Sequence, residues 1–258
     1  MSSIVYASDL HGNHQAYERL FGLEADAVVL GGDLLPYPLK RGGDLLALQR
    51  DFVDGFLAPR MAARPCYWIP GNDDWAAALG PLENAGTALH GRAVPFLDGL
   101  SIAGCGFVPV TPFGMKDFDR VDVPGWEPRQ LPKRCLWSSS AGIEPVALSV
   151  VLARPTIEAE LQQLARRSDP RTTVYVVHTP PFATTLDRLQ GGITPIGSRA
   201  LRTFIDTQRP PLTLHGHVHE SPGVERIGRT VCVNPGDSMT RLHAVRIDLK
   251  DYTVTPVD

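Results

Sequence analysis

Five times along this 258-residue chain, a short apolar run stops at a cluster of Asp, Asn, His and Gly. Residues 4–7 give way to Ser8-Asp9-Leu10-His11-Gly12-Asn13, and residues 27–30 to Gly31-Gly32-Asp33. Residues 66–69 lead into Pro70-Gly71-Asn72-Asp73-Asp74, residues 173–177 into His178-Thr179-Pro180-Pro181, and residues 212–214 into His215-Gly216-His217-Val218-His219. Apolar runs of this length ended by turn residues are buried-strand signals. Helical spacing fills the gaps between the first three. Ala16, Tyr17, Leu20 and Phe21 share one face, and Leu45, Leu46, Leu48, Phe52, Val53, Phe56 and Leu57 mark a second helix. Strands alternating with helices predict βαβ units and a mainly parallel sheet. Open sheets of that class build their sites just past the strands' carboxyl ends, where all five clusters fall.

The rest of the chain is less regular. Residues 88–108 read as short strands broken by glycines. Residues 109–147, rich in Pro, Gly, Trp and Ser, show little period and are too long for an ordinary connection. Two readings stand for them: a surface excursion or lid over the site, or a packed loop that never moves. Trp126, Trp137 and Arg129 within it are candidates for substrate contact, a core role for the tryptophans being the alternative. Order returns at Thr156, a helix N-cap ahead of Ile157, Leu161 and Leu164. Residues 230–233 and 243–249 predict further strands, antiparallel ones. With no repeat, low-complexity tract or linker, the expectation is a single domain over residues 1–258.

Composition closes off several classes. Hydrophobic residues at 43% and charged residues at 21% describe a globular chain. A net charge of −3 gives no electrostatic case for nucleic acid or an anionic membrane as main partner, so an anionic substrate would need local neutralisation. The first apolar run is too short for a secretory leader, and no segment approaches the roughly 20 apolar residues that span a bilayer. Cys66, Cys105, Cys135 and Cys232 are scattered without a CxxC pair. The expectation is a cytoplasmic protein with reduced core thiols.

The clusters carry metal-binding chemistry. In extended chain, residues two apart point the same way, so Asp9 and His11 would aim a carboxylate and an imidazole at one point. His217 and His219 would do the same, with Cα atoms about 6.5 Å apart, a spacing suited to two adjacent metals. Asp33 at a strand end, the neutral oxygen of Asn72 and a His178 stiffened by two prolines complete a donor set. Each piece alone also fits a plain turn or a surface histidine, and the order of all five gives the pattern its weight. His14 and His215 are left over, to be placed beside the site or in solvent.

These residues resemble the calcineurin-like metallophosphoesterase superfamily, whose signature runs DxH, GD, GNH[DE], H, GHxH. Here it reads Asp9-x-His11, Gly32-Asp33, Gly71-Asn72-Asp73-Asp74, His178 and Gly216-His217-x-His219. Asn234-Pro235-Gly236-Asp237 is similar to a segment that often follows in bacterial and archaeal members. The sequences around His178 and His217 look most like the Icc-related branch, named after a cyclic-AMP phosphodiesterase. The resemblance implies an α/β fold, a four-layer αββα sandwich of two mixed sheets flanked by helices. It implies two metal ions, commonly manganese, iron or zinc. One would be held by Asp9, His11, Asp33 and His219, the other by Asp33, Asn72, His178 and His217, with Asp33 bridging. The activity it implies is hydrolysis of a phosphodiester or phosphomonoester, nucleotides among the candidate substrates, by a bridging hydroxide. One position departs: Asp73 stands where the family has a histidine that stabilises the transition state or protonates the leaving group. The substrate could have a leaving group needing little help, His14 could supply the proton, or the chain could be a metal-containing binding or scaffold module with weak or no catalysis.

Overall fold

The computed structural model describes residues 2–37, 43–128, 130–189 and 194–257. In chain order the strands are β1 (Ser3–Ala7), β2 (Ala27–Leu30), β3 (Cys66–Trp68), β4 (Thr87–Ala88), β5 (Ala93–Pro95), β6 (Ser101–Cys105), β7 (Val108–Pro109) and β8 (Asp119–Arg120). They continue with β9 (Leu136–Ser139), β10 (Gly142–Pro145), β11 (Thr173–Val177), β12 (Leu212–Leu214), β13 (Gly223–Ile227), β14 (Thr230–Asn234), β15 (Ala244–Asp248) and β16 (Val254–Val257). The helices are α1 (His14–Gly22), α2 (Leu45–Phe52), α3 (Ala58–Met61), α4 (Leu82–Ala85), α5 (Leu148–Leu152), α6 (Ile157–Ala165) and α7 (Arg199–Gln208).

Among the described residues the strands form two six-stranded mixed sheets, ordered β16-β15-β1-β2-β3-β4 and β13-β14-β12-β11-β6-β5. Side-chain alternation explains why the sheets stack. Ile4 and Tyr6 of β1, Ala27 and Val29 of β2, Val174 and Val176 of β11, and Leu212 and Leu214 of β12 fill one apolar layer. The intervening Val5, Ala7, Val28, Leu30, Tyr175 and Val177 belong to a second cluster, shared with Tyr17 and Leu20 of α1 and with Leu161, Leu201 and Phe204 of α6 and α7. A strand buried on both faces reads as an unbroken apolar run, which is why the runs themselves were informative. The result is helices, sheet, sheet, helices: an αββα sandwich.

Three local expectations change. Residues 230–233 were expected antiparallel, but β14 runs parallel to β12 and antiparallel only to β13. Its fully buried run marks an interior strand, while the alternating burial of β13 marks the edge. The second helix is also not continuous: a π-turn over Val53–Leu57 separates α2 from α3. Leu48, read as part of its inward face, is 46% exposed, and the inward place goes to a polar residue, the fully buried Gln49.

Among the described residues of the irregular stretch 109–147, several are anchored in the body of the protein. The Lys116 ammonium is fully buried, donating to Asp119 Oδ2 at 2.6 Å and to Thr111 O, Thr111 Oγ1 and Met115 O at 3.0–3.1 Å. Met115 and Phe118 join the main core. Asp122 accepts from the Ser198 hydroxyl and from Arg199 N, fastening the stretch to the start of α7. Trp126 packs beside Val110, Cys135 and Val151, and Trp137 lies under the Arg154 guanidinium. Arg129 lies outside the described residues. The four cysteines are buried and unpaired. No helix among the described residues is long and apolar enough to cross a membrane.

Removing one partner of a buried ion pair strands the other in a medium that cannot solvate it. Lys116→Met should therefore lower unfolding stability by about 3–5 kcal/mol in denaturant titration. The double variant Lys116→Met/Asp119→Asn should recover part of that loss. A loss no larger than that of a surface substitution would show that Lys116 is not buried as described.

Candidate metal centre

The two sheets present their parallel strands' carboxyl ends at one edge of the sandwich. The register of β1 on β2 pairs Ala7 with Leu30, and the pairing runs on into the loops. Asp9 N donates to Gly32 O at 3.0 Å and His11 N to Asp33 O at 2.9 Å. In the second sheet, His178 N donates to Cys105 O and Gly216 N to His178 O, so the loops after β11 and β12 are laddered too. The halves are then joined. Both Asp9 carboxylate oxygens accept from His217 N, at 3.1 and 3.0 Å, and Tyr6 Oη donates to His215 O at 2.7 Å. Gly216 has to be glycine, because a Cβ there would collide with the Ser8 hydroxyl and the Asp9 carboxylate.

The structure brings Asp9, His11, Asp33 and His219 into one group whose ligand atoms all lie within 4.8 Å of one another. Asp33, His178 and His217 form a second such group, so Asp33 is common to both. Its Oδ2 is 3.2 Å from His178 Nε2 and 4.0 Å from His11 Nε2, while its Oδ1 accepts from Asp73 N at 2.7 Å. Extended geometry does not produce this arrangement. Asp9, His11, Asp33 and His217 all have left-handed backbone, φ +52°, +43°, +50° and +65°. Val218 N donates to Gly216 O at 2.7 Å, closing a three-residue turn around His217. The chain folds tightly after each strand, and the ligands converge from different loops instead of sharing one strand face.

Two atoms test whether these residues suit a metal. Asn72 Oδ1 and His178 Nε2 are buried without a hydrogen-bond partner. His178 Nδ1 is 2.8 Å from Gly31 O, which keeps a proton on Nδ1 and turns Nε2 inward toward Asp33 Oδ2, as the nitrogen that would meet a metal once its own proton is lost. A buried acceptor such as Asn72 Oδ1, left unpaired, costs free energy unless something cationic meets it. The electrostatics agree. Burial opposes charge on Asp33, yet His178 and His11 hold its carboxyl well below the usual carboxylate range. Burial also opposes charge on the partner histidines, but Asp33 drives His178 up to about 10 and Asp9 drives His219 up to about 9. Burial holds His217 down to about 4 and lowers His11, so both are neutral acceptors. Burial together with Asp33 and Asp74 raises Asp73 well above the carboxylate range. Without cations the site gathers like charges that only protonation can relieve, and the donors present fit a metal.

The remaining candidates stand elsewhere. His14, first residue of α1, is exposed with its ring against Phe52 and Phe56, apart from both ligand groups. His215 is fully buried with both ring nitrogens engaged, by Val177 O and Thr213 Oγ1. Of two further residues at the site, Gln49 was not singled out in the sequence and Asp74 only as the last position of Gly71-Asn72-Asp73-Asp74. Asp74 accepts from the backbone N–H groups of Leu34, Leu35 and Gly71, tying the loop of Asp33 to the loop of Asn72. Gln49 bridges the same two loops. Ser238 N donates to Asp9 O, so the segment after Asn234-Pro235-Gly236-Asp237 backs the first group.

Comparison with known proteins decides the family. A family model for calcineurin-like phosphoesterases matches residues 2–221. The chain belongs to that family. Compared with curated proteins, the sequence finds no match. One solved crystal structure matches at 17% identity over 100% of this chain and 98% of its own, with a TM-score of 0.66. The protein TT1561 of Thermus thermophilus matches at 20% identity over 100% and 98%, with a TM-score of 0.62. Yfce, a phosphoesterase from E. coli, aligns at 15% identity over 99% and 98%, with a TM-score of 0.40. At these identities the first two matches speak for the calcineurin-like fold. Family and Asp/His cluster together point to a metallophosphoesterase that binds divalent metal ions and acts on a phosphate ester.

Metal ligation needs neutral imidazoles, and below about 9 both His178 and His219 carry protons in the metal-free protein. Metal uptake should therefore release up to about two protons at pH 7, and affinity should climb as pH rises toward 9. Calorimetric titration with Mn²⁺ in buffers of different ionisation enthalpy measures the release, and none at pH 7 would contradict the histidine assignment. Asp33→Asn, which removes the shared charge, should lower bound metal measured by elemental analysis. Unchanged stoichiometry would remove Asp33 from the ligand set.

Proposed function

We propose that this calcineurin-like phosphoesterase is a hydrolase with two metal ions, acting on phosphodiesters or on phosphate esters with good leaving groups. The observation that carries the reading is the Asp33 carboxylate common to two ligand groups, with the unpartnered Asn72 Oδ1 and His178 Nε2 beside it. One ion is assigned to Asp9, His11, Asp33 and His219, the other to Asp33, Asn72, His178 and His217. Manganese, iron or zinc suits this nitrogen and oxygen set better than magnesium or calcium. When bound, such ions neutralise phosphate charge, acidify water and stabilise an in-line displacement.

The chain's own groups set the geometry. Gly31 O holds the His178 ring by Nδ1, and His217 N holds the Asp9 carboxylate, so neither ligand needs to reorganise. The side chains of Asp9, Asp33, His11 and His178 are 3% accessible or less, whereas that of His219 is 31% accessible. The centre opens on the His219 side, and the phosphate approaches there. Asp73 supplies no proton: beside cations a carboxyl is ionised and is a poor acid. His14, turned onto Phe52 and Phe56, is not poised to replace it. The leaving group therefore departs as an anion, as an aryl oxide or a phosphate would.

Asp73 also favours a second reading, a binding module that keeps its ions for recognition and turns over poorly. Assays of the manganese-, iron- and zinc-loaded protein on aryl and alkyl phosphodiesters separate the two. The hydrolase reading expects turnover of the aryl ester far above the alkyl ester. No turnover with any metal, at confirmed occupancy, would leave the binding module. Asp73→His should narrow the difference between aryl and alkyl esters by about 10²-fold, the usual worth of a positioned acid. Equal rates on both esters in the unmodified protein would refute the missing-acid argument.

A further inference from the structure

Asp73 is out of place as an acid, yet it is closely held. Its backbone N donates to Asp33 Oδ1 at 2.7 Å, and its carbonyl accepts from Gln49 Nε2 at 2.8 Å. Its carboxylate Oδ1 accepts from Asn72 Nδ2 at 3.0 Å. The last contact has a consequence for Asn72. An amide side chain can turn either its oxygen or its nitrogen toward a neighbour, and only the oxygen can bind a cation. With Nδ2 tied to Asp73, the opposite end of the Asn72 amide is Oδ1, the buried atom without a partner.

We propose that Asp73 is a positioning residue for the metal centre: its carboxylate orients the Asn72 amide so that Oδ1 faces the second ion, and Gln49 locks Asp73 in place. The assignment rests on the two-ion reading above.

Gln49 supports it independently. It is a fully buried polar side chain on the inward face of α2, where the helical pattern calls for an apolar residue. All of its amide is spent on the two ligand loops. Nε2 donates to Pro36 O at 3.1 Å and to Asp73 O at 2.8 Å, and Oε1 accepts from Trp75 N at 2.8 Å. Gln49 is not among the assigned ligands, and it holds the Asp73 loop at Asp73 O and Trp75 N. The first ion's group contains Asp9, His11, Asp33 and His219 and owes nothing to Asn72. A defect in orienting Asn72 must therefore fall on one ion and spare the other, a split that loss of overall stability would not produce.

The test strips the protein with chelator and titrates it with Mn²⁺. Bound ions are counted by equilibrium dialysis, and the coupled pair is followed by electron paramagnetic resonance. The unmodified protein should bind two ions and show the coupled signal. Asp73→Ala should weaken the second ion by about 10–100-fold and leave the first within about threefold. Asp73→Asn, whose amide oxygen can still accept from Asn72 Nδ2, should keep the second ion within about threefold. Gln49→Met should weaken the second ion by about 10-fold and spare the first. If Asp73→Asn falls as far as Asp73→Ala, charge and not orientation is what Asp73 supplies, and the proposal fails. It fails equally if Asp73→Ala or Gln49→Met leaves the second ion unchanged while the unmodified protein binds two; the two-ion reading then survives. An unmodified protein that takes up a single ion overturns both.

Discussion

The head of the sandwich depends on one carboxylate. Asp33 is the residue that both ligand groups share, the acceptor for the Asp73 backbone N–H, and the charge that drives His178 up to about 10. It comes from the first sheet and meets His178 and His217 from the second. The same contact that builds the centre therefore joins the sheets where their apolar layer ends. Below it, Ile4, Val29, Val176 and Leu214 close the interface by burial alone. Above it, apolar burial gives way to charge. A buried charge is tolerable only if it is paired or bound to a cation.

That constraint explains where the backbone is strained. Eight non-glycine residues among those described have positive φ, and four of them, Asp9, His11, Asp33 and His217, are assigned ligands. Each costs of order 1–3 kcal/mol when the surrounding structure must enforce it. The enforcement is visible: Asp9 N on Gly32 O, His11 N on Asp33 O, Val218 N on Gly216 O, and the Asp74 carboxylate on three backbone N–H groups. Asp74 is itself pushed up to about 7 by burial and by Asp33, against the pull of those three donors. The fold thus spends stability to hold carboxylates and imidazoles together before any ion arrives, and bound cations return part of it.

Much of this was legible in the sequence, for a physical reason. Strands buried on both faces have to be apolar runs, and ligands at strand ends have to be Asp, Asn or His, so run and ligand together mark both fold and site. The spacing within each motif was less informative. Reading Asp9 with His11, and His217 with His219, as neighbours on an extended strand named residues that enter the two Asp/His groups, but by another geometry, because Asp9, His11 and His217 sit in left-handed turns. The β14 pairing was missed because apolar content marks an interior strand without giving its direction. Gln49, and the bracing role of Asp74, were opaque for a different reason. Their role is to saturate backbone groups of loops distant in sequence, and no local pattern records which loop will lie beside α2.

The Asp73 carboxylate bears on substrate charge as well as on geometry. In the metal-free protein, burial and the neighbouring Asp33 and Asp74 push its proton affinity up; bound cations would work in the opposite direction and favour its ionised form. A histidine at this place would leave the bound ions a net positive field for the incoming phosphate. An ionised Asp73 would subtract from that field. The penalty scales with substrate charge, so it weighs more on a dianionic monoester than on a monoanionic diester. On the proposed reading, the aspartate at this place would favour diesters, and leaving groups that depart without a proton. Both consequences follow from one side chain whose geometry, tied to Asn72 and braced by Gln49, is that of a ligand's support.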